Sequence, residues 1–423
     1  SCGMVVSDGK KTFSQRKMGL VSNAFSSSDL KKLKGNYGIA HVRYSTTGSS
    51  SEKNIQPFQI EHQGKTIAIA HNGNLVNSFS LRKELEEKGA IFQTTLDTEI
   101  IIHLLVHSNK KTLKEKVIEA LSKLKGAFSL LFLTPEGIMA VKDPWGFRPL
   151  CLGKLNRGYI VASESCAFDL VGAEYIRELQ PGEILTVNKN GLERDFLPIK
   201  KNSHCIFEFI YFARPDSKIF GESVYLARKN LGENLAKEFP FKGDIVIPIP
   251  DSGNFAAIGF ANKKKIPFEM GIIRNHYVGR TFIQPFQKTR ELGVKIKLNP
   301  IREVLKGKKV IVIEDSIVRG TTSKLRVKRL RDFGATEVYM GVSCPPIRFP
   351  CFYGIDFPSQ NELIASGKEV EEIRSSIGLD GLYYLSMEGM LSSMNLPPSN
   401  FCTACFTGNY SVKPEKFRKE QFE

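Results

Sequence analysis

The sequence predicts an α+β or stacked-sheet domain over residues 1–200 and an α/β domain with a parallel sheet over residues 201–423. Three observations carry this. The chain has 423 residues, enough for two or three domains. In the first half, strand-like runs are joined by short turns, as hairpins are, and amphipathic helices lie between them. After the polar, proline-containing stretch "LPIKKNSH" (Leu197 to His204), which reads as a linker, apolar β-branched runs alternate with helices, the order of a parallel sheet.

The individual elements follow local rules. "TIAIAHNG" (Thr66 to Gly73) is a β-rich run that ends in an Asn-Gly turn signal. "SLRKELEEKG" (Ser80 to Gly89) has a serine to cap it, glutamates and a terminal glycine, and predicts a helix. "TLKEKVIEALSKLKG" repeats that grammar, with Leu113, Val117, Ile118, Leu121 and Leu124 at helical spacing. "AFSLLFLT" and "GIMAVKD" are strands joined by Pro135-Glu136-Gly137. Beyond the linker come the helix "ESVYLARKNLGENLAKEF", the strand "DIVIPIP", the small-residue helix "GNFAAIGFAN", the strand "KKVIVIED", a helix from Thr321 and the strand "EVYMGVS". The tail from Pro414 is charged and predicts frayed structure.

Hydrophobic residues make up 41% and charged residues 25%, an ordinary globular balance. No apolar run reaches the roughly 18 residues that cross a bilayer. The start does not read as a signal peptide. The expectation is a cytoplasmic protein with no membrane partner. The formal net charge is +16. A lysine-rich composition explains a scattered excess; nucleic acid or a polyphosphate substrate are the functional readings. Zinc-finger spacing and an aromatic RNA-binding signature are both missing, and the basic residues concentrate only at "KLRVKRLR" (Lys324 to Arg331). A phosphate-rich small molecule is therefore preferred to nucleic acid.

The sharpest motif is "VIVIEDSIVRGTTS" (Val310 to Ser323). A buried strand ends in two acids, then a turn with Gly320, then Thr321 and Thr322 opening a helix. Ligands of open α/β sheets bind beyond the carboxyl ends of the strands. A run of backbone N–H groups entering a helix N-terminus is an anion site. Glu314 and Asp315 repel phosphate and suit ribose hydroxyls or Mg²⁺. A second loop, "IPIPDSGN", ends a strand with Asp251, Ser252 and Gly253. Between the two lies the long basic stretch from Tyr277 to Pro300, glycine-hinged, which could close over a phosphorylated substrate. In it Arg280, Arg290 and Lys297 are candidates for screening pyrophosphate charge.

A second constellation is formed by "HVRYSTTG" (His41 to Gly48), "HNGNL" (His71 to Leu75) and "TTLDTE" (Thr94 to Glu99). A glutamine substrate needs its carboxylate, ammonium and amide oxygen bound. Arg43 can clamp a carboxylate, Asp97 can pair with an ammonium, and Asn72 with the Gly73 N–H can form an oxyanion hole. Taken singly, each motif is weak.

Together, the order and spacing of these stretches resemble two known domains. The strand-acid-acid-Gly-Thr-Thr stretch resembles the 5-phosphoribosyl-1-pyrophosphate (PRPP) motif of type I phosphoribosyltransferases. The first-half motifs resemble the glutaminase domain of N-terminal-nucleophile amidotransferases. With "DPWGFRPL", "SES", "PGE" and "FEFIYFARPDS", the resemblance runs from Ser1 to about Tyr410 and is to the glutamine PRPP amidotransferase family. It implies an N-terminal-nucleophile glutaminase fold followed by a type I phosphoribosyltransferase fold. It also implies the reaction of PRPP, glutamine and water to 5-phosphoribosylamine, glutamate and pyrophosphate, the entry to purine synthesis. Glu314 and Asp315 would then hold the ribose hydroxyls, and Ser316, Ile317, Val318, Arg319, Gly320, Thr321 and Thr322 the 5′-phosphate. Asp251, Ser252 and Gly253 would hold pyrophosphate, with Arg280 and Lys297 from the long stretch. Mg²⁺ would sit near Ser252, Glu314 and Asp315. Glu314 stands where amidotransferase members usually have Asp. The resemblance further implies a homotetramer inhibited by purine nucleotides. Two other readings are a nucleotide- or PRPP-sensing regulator and an ammonia-dependent synthase with an inactive glutaminase half.

The eight cysteines do not form a disulfide scaffold in a chain this long. Cys402 and Cys405 make a C-x2-C pair. Joined by Cys205 and Cys351, they would suit Zn²⁺ or an iron–sulfur cluster equally well by counting. One branch of the resembled family carries a [4Fe–4S] cluster, and these four positions match its ligands. Cys151, Cys166 and Cys344 sit in apolar, strand-like runs and are expected to be buried thiols.

Cys2 raises a separate expectation. An N-terminal nucleophile uses its own α-amine, of pKa about 8, as base. Ser1 converts the amine of Cys2 to an amide. In the resembled family a glycine-rich strand, a helix and a stretch like "QHRGQES-x-G" follow the nucleophile, and "SCGMVVSDG" matches the end of that stretch. Cys2 is thus expected to be a bystander, with the nucleophilic cysteine upstream, and the chain as written to lack glutaminase activity while free ammonia remains a usable nitrogen source.

Overall fold

The computed structural model describes residues 1–43, 51–62, 64–275 and 298–415. The chain divides into two compact units: Ser1–His204 with Cys351–Asp356 and Tyr410–Glu423, and Cys205–Pro350 with Phe357–Asn409. Leu197 and His204 of the expected linker are buried in the first unit, and its backbone bonds there, Lys200 N–H to the Pro144 carbonyl (3.0 Å) and Ser203 N–H to the Trp145 carbonyl (2.8 Å). The first boundary between the units, His204/Cys205, falls at the end of that stretch, whose residues 198–201 are exposed coil.

In the first unit, strands β1 (Cys2–Ser7), β2 (Thr12–Lys17) and β3 (Tyr37–Val42) form an antiparallel sheet in the order β2-β1-β3. The short helices α1 (Val21–Ala24) and α2 (Ser27–Lys32) lie between β2 and β3 in the chain. Strands β4 (Phe58–His62), β5 (Lys65–Leu75), β6 (Gly126–Thr134), β7 (Gly137–Lys142), β11 (Glu183–Asn188) and β12 (Gly191–Phe196) make a six-stranded antiparallel sheet. Its order is β12-β11-β7-β6-β5-β4. Strands β8 (Cys151–Leu155), β9 (Gly158–Ala162) and β10 (Glu174–Glu178) form a third sheet, with α6 (Cys166–Val171) between β9 and β10.

Period-two alternation decides which face of the large sheet meets what. Ile67 and Ile69 of β5, Phe128, Leu130 and Phe132 of β6, and Met139 and Val141 of β7 join one core. That core holds the apolar faces of α3 (Ser78–Glu87), α4 (Asp97–Val106) and α5 (Leu113–Ser122). The intervening residues face the other way. Ala68, Ala70 and Leu133 pack with Val5 and Ile39 of the β1–β3 sheet. Ala140 and Leu185 pack with Leu150, Leu152 and Leu179. Alanines on that face let a second sheet come close. Phe128 and Phe132 are fully buried, and each stabilises the fold by about 1.5–3 kcal/mol through burial alone.

Three local expectations change. The helix expected from Ser80 starts at Ser78, because Ser80 bonds back to the Asn77 carbonyl (3.2 Å) from inside the first turn. The Asn-Gly pair at 72–73 is no turn: β5 runs on to Leu75, with Asn72 opposite Ser129 and Gly73 opposite Phe128. Cross-strand pairing overrides the local turn preference. Cys166 opens a helix rather than lying in a strand, though it is buried as expected.

In the second unit, α7 (Val224–Glu238), β13 (Ile245–Pro248), α8 (Asn254–Lys264), β14 (Lys309–Glu314), α9 (Thr321–Asp332), β15 (Glu337–Val342), α10 (Val370–Ile377) and β16 (Gly381–Tyr384) follow in the chain. The four strands form a parallel sheet in the order β13-β14-β15-β16. Val310 to Ile313 are wholly buried, as a parallel strand covered on both faces requires.

Candidate functional site

The phosphate-side site is built by register. Parallel pairing sets Pro248 of β13 opposite Ile313 of β14, and the Ile249 N–H donates to the Ile313 carbonyl at 2.9 Å. The loops after the two strands therefore leave the sheet side by side, at its carboxyl edge. Ser252 Oγ donates to Asp315 Oδ1 at 2.5 Å, and Ser316 Oγ to Asp315 Oδ2 at 2.5 Å. The structure thus brings Ser252, Asp315 and Ser316 together. The Pro250–Asp251 peptide bond is cis. Asp251 pairs with Arg274, a partner that sequence reading did not single out.

Gly320 turns the chain into α9. Its φ of +75° is left-handed, and a Cβ there would stand 2.2 Å from Ile364 Cδ1. Only glycine suits both demands. Gly320 is also the N-cap, with no side chain bonded to cap α9. The first N–H groups of a twelve-residue helix beginning at Thr321 are thereby presented to an anion.

Glu314 and Asp315 are each 4% exposed. Burial pushes the Glu314 carboxyl up to about 7, Asp315 adds to the rise, and Arg326 opposes it through a 2.7 Å bond from Nη1 to Oε2. Burial also raises Asp315, against the two serine hydroxyls. Arg326 was legible only as one of the basic residues of "KLRVKRLR"; its place in the second turn of α9 folds it back over the strand end. Arg280, Arg290 and Lys297 lie outside the described residues. That stretch leaves and rejoins the fold at an antiparallel pair, Ile272–Arg274 with Leu298–Pro300.

The glutamine-side motifs converge in the first unit. Asp97 is the first residue of α4, where the helix N-terminus favours its charge. Glu99 pins the loop in front: it accepts from the Gln93 N–H (2.8 Å), the Thr94 N–H (2.8 Å) and Thr94 Oγ1 (2.6 Å). Asp97 Oδ1 lies 3.2 Å from His71 Nδ1, and Oδ2 accepts the Leu75 N–H at 3.1 Å. Burial disfavours a charged His71, but the Asp97 carboxylate outweighs it and His71 holds its proton above the ordinary range. Burial likewise opposes a charged Asp97, and the His71 pairing holds its carboxyl below the usual range. Arg43 is pulled down by burial and held up by the field of Asp97, so the two expected substrate clamps are electrostatic neighbours.

Asn72 Nδ2 lies 3.4 Å from Ser163 Oγ of the "SES" stretch. Ser129, opposite Asn72 on β6, has a buried hydroxyl with no hydrogen-bond partner among the described residues. His71 and Ser129 are the residues here to which sequence reading gave no role. His71 had a signal, its place next to Asn72; Ser129 had none.

Cys2 is 2% exposed in β1, paired with Lys17 and Val42, and its thiol points to the carbonyls of Lys17 (3.7 Å) and Gly19 (3.8 Å). Of the cysteines matched to cluster ligands, Cys351 belongs to the first unit and Cys205, Cys402 and Cys405 to the second. The Ile206 N–H reaches the Cys402 carbonyl at 3.5 Å, and the N–H groups of Arg348 and Phe349 both donate to the Cys405 carbonyl at 3.0 Å. The thiols suit zinc or an iron–sulfur cluster by chemistry, and the oxygens of Ser252, Glu314 and Asp315 suit Mg²⁺. Among the described residues no three His, Cys, Asp or Glu side chains converge as a metal-holding group. No helix among them is long and apolar enough to cross a membrane.

Comparison with known proteins agrees with both halves. Residues 41–169 match a glutamine amidotransferase domain family. The chain is 50% identical over 399 residues to amidophosphoribosyltransferase 2, chloroplastic, of Arabidopsis thaliana, covering 94% of this chain and 71% of that protein. It is 49% identical over 417 residues to the amidophosphoribosyltransferase of Bacillus subtilis, covering 97% and 88%. Among solved structures, the glutamine PRPP amidotransferase from B. subtilis complexed with ADP and GMP superposes with a TM-score of 0.93 at 46% identity. That match covers 98% of this chain and 92% of the other. The stacked-sheet unit is accordingly an N-terminal-nucleophile glutaminase fold and the parallel-sheet unit a phosphoribosyltransferase fold. The chain belongs to the amidophosphoribosyltransferase family.

Proposed function

We propose that the second unit binds PRPP and the first binds glutamine, and that together they make 5-phosphoribosylamine, glutamate and pyrophosphate, the first step of purine synthesis. Hydrolysis of the glutamine amide yields glutamate and ammonia. Ammonia then attacks C1 of PRPP, the new C–N bond forms, and pyrophosphate leaves. The observation that carries this reading is the Ser252–Asp315 bond, which unites two loops at the carboxyl edge of a parallel sheet. Glu314 and Asp315 hold the ribose hydroxyls. The N–H groups from Ser316 to Thr322 hold the 5′-phosphate. Asp251, Ser252 and Gly253 hold pyrophosphate, together with Arg280 and Lys297.

On the glutamine side, Arg43 takes the carboxylate, Asp97 the ammonium, and Asn72 with the Gly73 N–H the oxyanion; Cys2 is a packing residue. Mg²⁺ travels with pyrophosphate and is met by Ser252, Glu314 and Asp315. Cys205, Cys351, Cys402 and Cys405 hold a [4Fe–4S] cluster of structural role. This last assignment rests on the family pattern and on the thiolate donor set, and it favours a reducing, cytoplasmic setting. The active form is a homotetramer, as the family resemblance implies, and it answers to purine nucleotides, a reading supported by the relative complexed with ADP and GMP.

The experiment is pyrophosphate release from PRPP, with ammonium salts at alkaline pH and separately with glutamine. Release that requires Mg²⁺ and is weakened in Asp315→Asn supports the reading. Tight PRPP binding without release would make the protein a sensor instead.

A further inference from the structure

The candidate oxyanion strand is braced by residues from far along the chain. Cys351–Asp356 belongs to the first unit, although the chain before it, through Pro350, and after it, from Phe357, belongs to the second. The segment meets β5 at its functional end. Asn74 Nδ2 donates to the Phe352 carbonyl at 3.0 Å. Gly354, with φ +99°, lies against Gly73: a Cβ on Gly354 would stand 3.0 Å from Gly73 Cα and 3.1 Å from its carbonyl carbon. Gly73, with φ +148°, has no room for a side chain either, since a Cβ there would stand 2.1 Å from the Ala127 carbonyl oxygen.

The bracing segment is itself anchored. The Tyr353 ring stacks on Phe147, with centroids 4.1 Å apart and planes at 24°. Its hydroxyl donates to the Val412 carbonyl at 2.7 Å and accepts the Val412 N–H at 2.9 Å. The Phe352 ring meets Tyr410 edge-on at 5.2 Å. Tyr410 and Val412 belong to the first unit too.

We propose that Phe352–Gly354 is a positioning clamp for the glutamine step. It presses on Gly73 and holds Asn74, and so fixes where the Gly73 N–H and the Asn72 amide stand relative to the glutamine carbonyl. The inference rests on the oxyanion role proposed above for Asn72 and Gly73. Oxyanion donors act because they are placed before charge develops. A shift of about 1 Å in such a site can cost about 100-fold in rate. A methyl on Gly354 requires the Gly73 backbone or its own to give by a few tenths of an ångström, because the atoms in the way are backbone. The PRPP-side residues named above, Asp251–Gly253 and Glu314–Thr322, belong to the second unit, so ammonia use should not feel the clamp.

The test uses the full-length enzyme as the cell makes it. In Gly354→Ala, glutamine-dependent kcat should fall about 10–100-fold. KM for glutamine should hold within about threefold, as expected when an interaction made in the transition state is lost. Ammonia-dependent phosphoribosylamine formation should stay within about twofold of the parent. Asn74→Ala, which removes the bond to Phe352, should show the same split more weakly and covers the case in which Gly354→Ala folds poorly. Hydrogen exchange needs no turnover: peptides spanning Asn72 to Leu75 should exchange at least about 10-fold faster in Gly354→Ala, and those spanning Glu314 to Thr322 at the parent rate. Unchanged exchange at Asn72–Leu75, an unchanged glutamine kcat, or an equal loss of both activities would overturn the clamp. If Asn72→Ala leaves glutamine hydrolysis intact, the oxyanion reading fails first; if Asn72→Ala abolishes it and Gly354→Ala does not, only the clamp fails.

Discussion

Ser252 Oγ and Asp315 Oδ1 are hydrogen-bonded at 2.5 Å across 63 residues of sequence. The bond ties the loop after β13 to the loop after β14. Replacing Asp315 with Asn removes the charge that aligns both Ser252 and Ser316. Hydrogen bonds to charged groups contribute about 1.5–3 kcal/mol each. With ammonia as nitrogen donor, kcat/KM for PRPP should fall by about 10–100-fold in Asp315→Asn and by less in Ser252→Ala. Steady-state kinetics over a PRPP series measure both, and equal values for parent and Asp315→Asn would remove Asp315 from the site.

Gly320→Ala should be costly twice. The left-handed φ strains any L side chain, and the new methyl runs into Ile364. The folded state should lose about 1 kcal/mol or more, read as a lower denaturant midpoint in chemical unfolding of the second unit. PRPP affinity, by calorimetric titration, should drop further than stability does, because the same turn aims the N–H groups of α9.

Glu314 predicts a pH dependence with a definite sign. Its folded carboxyl titrates at about 7, against 4.5 for an unperturbed glutamate. The folded state therefore keeps a proton that the unfolded state has lost. Stability of the ligand-free protein is highest below about 4.5 on this account and falls as pH rises toward about 7, after which the cost is complete. Glu314→Gln should flatten that slope by about 1–3 kcal/mol across the interval, measured as unfolding free energy at successive pH values. A parent slope of the opposite sign over this interval that Glu314→Gln leaves unchanged would rule out this assignment.

Asp97 carries a structural duty besides the binding role proposed for it. Asp97→Asn leaves His71 buried without its counter-charge, a change that costs about 3–5 kcal/mol when one partner of a buried pair is removed. Two outcomes should appear together: a lower thermal midpoint and weaker glutamine binding. In the parent, His71 followed by imidazole NMR should keep its proton above its ordinary range, and in Asp97→Asn it should titrate lower. An unmoved His71 titration would show that the pair does not couple.

The four matched cysteines predict iron, not zinc. The purified protein should show broad visible absorbance that bleaches in air, with iron and acid-labile sulfide in metal analysis. One stoichiometric zinc would sink the cluster.

The phosphate loop was legible because its chemistry is contiguous. An apolar strand, two acids, a left-handed glycine and a helix start lie within the stretch from Val310 to Thr322, and local propensity places them all. The stacked sheets were legible in outline for the same reason, since Ile67 to Ala70 alternate large and small with period two. The through-space partners were not legible. Arg326 reaches Glu314 from a later helical turn, and Arg274 reaches Asp251 by strand packing. His71 reaches Asp97 because β5 runs through the Asn-Gly pair instead of turning there. Cross-strand pairing to β6 outweighed the dipeptide's preference.

What the sequence by itself determined was the identity and order of the two folds, because those are set by short-range pattern. What only the tertiary structure decided was which groups hold the candidate site residues still. Asn74 and the Phe352 carbonyl stand 278 residues apart and meet at 3.0 Å. No local rule relates them. Their contact exists because a late segment packs with the first unit, and burial and backbone hydrogen bonding settle that choice only when the whole chain has folded.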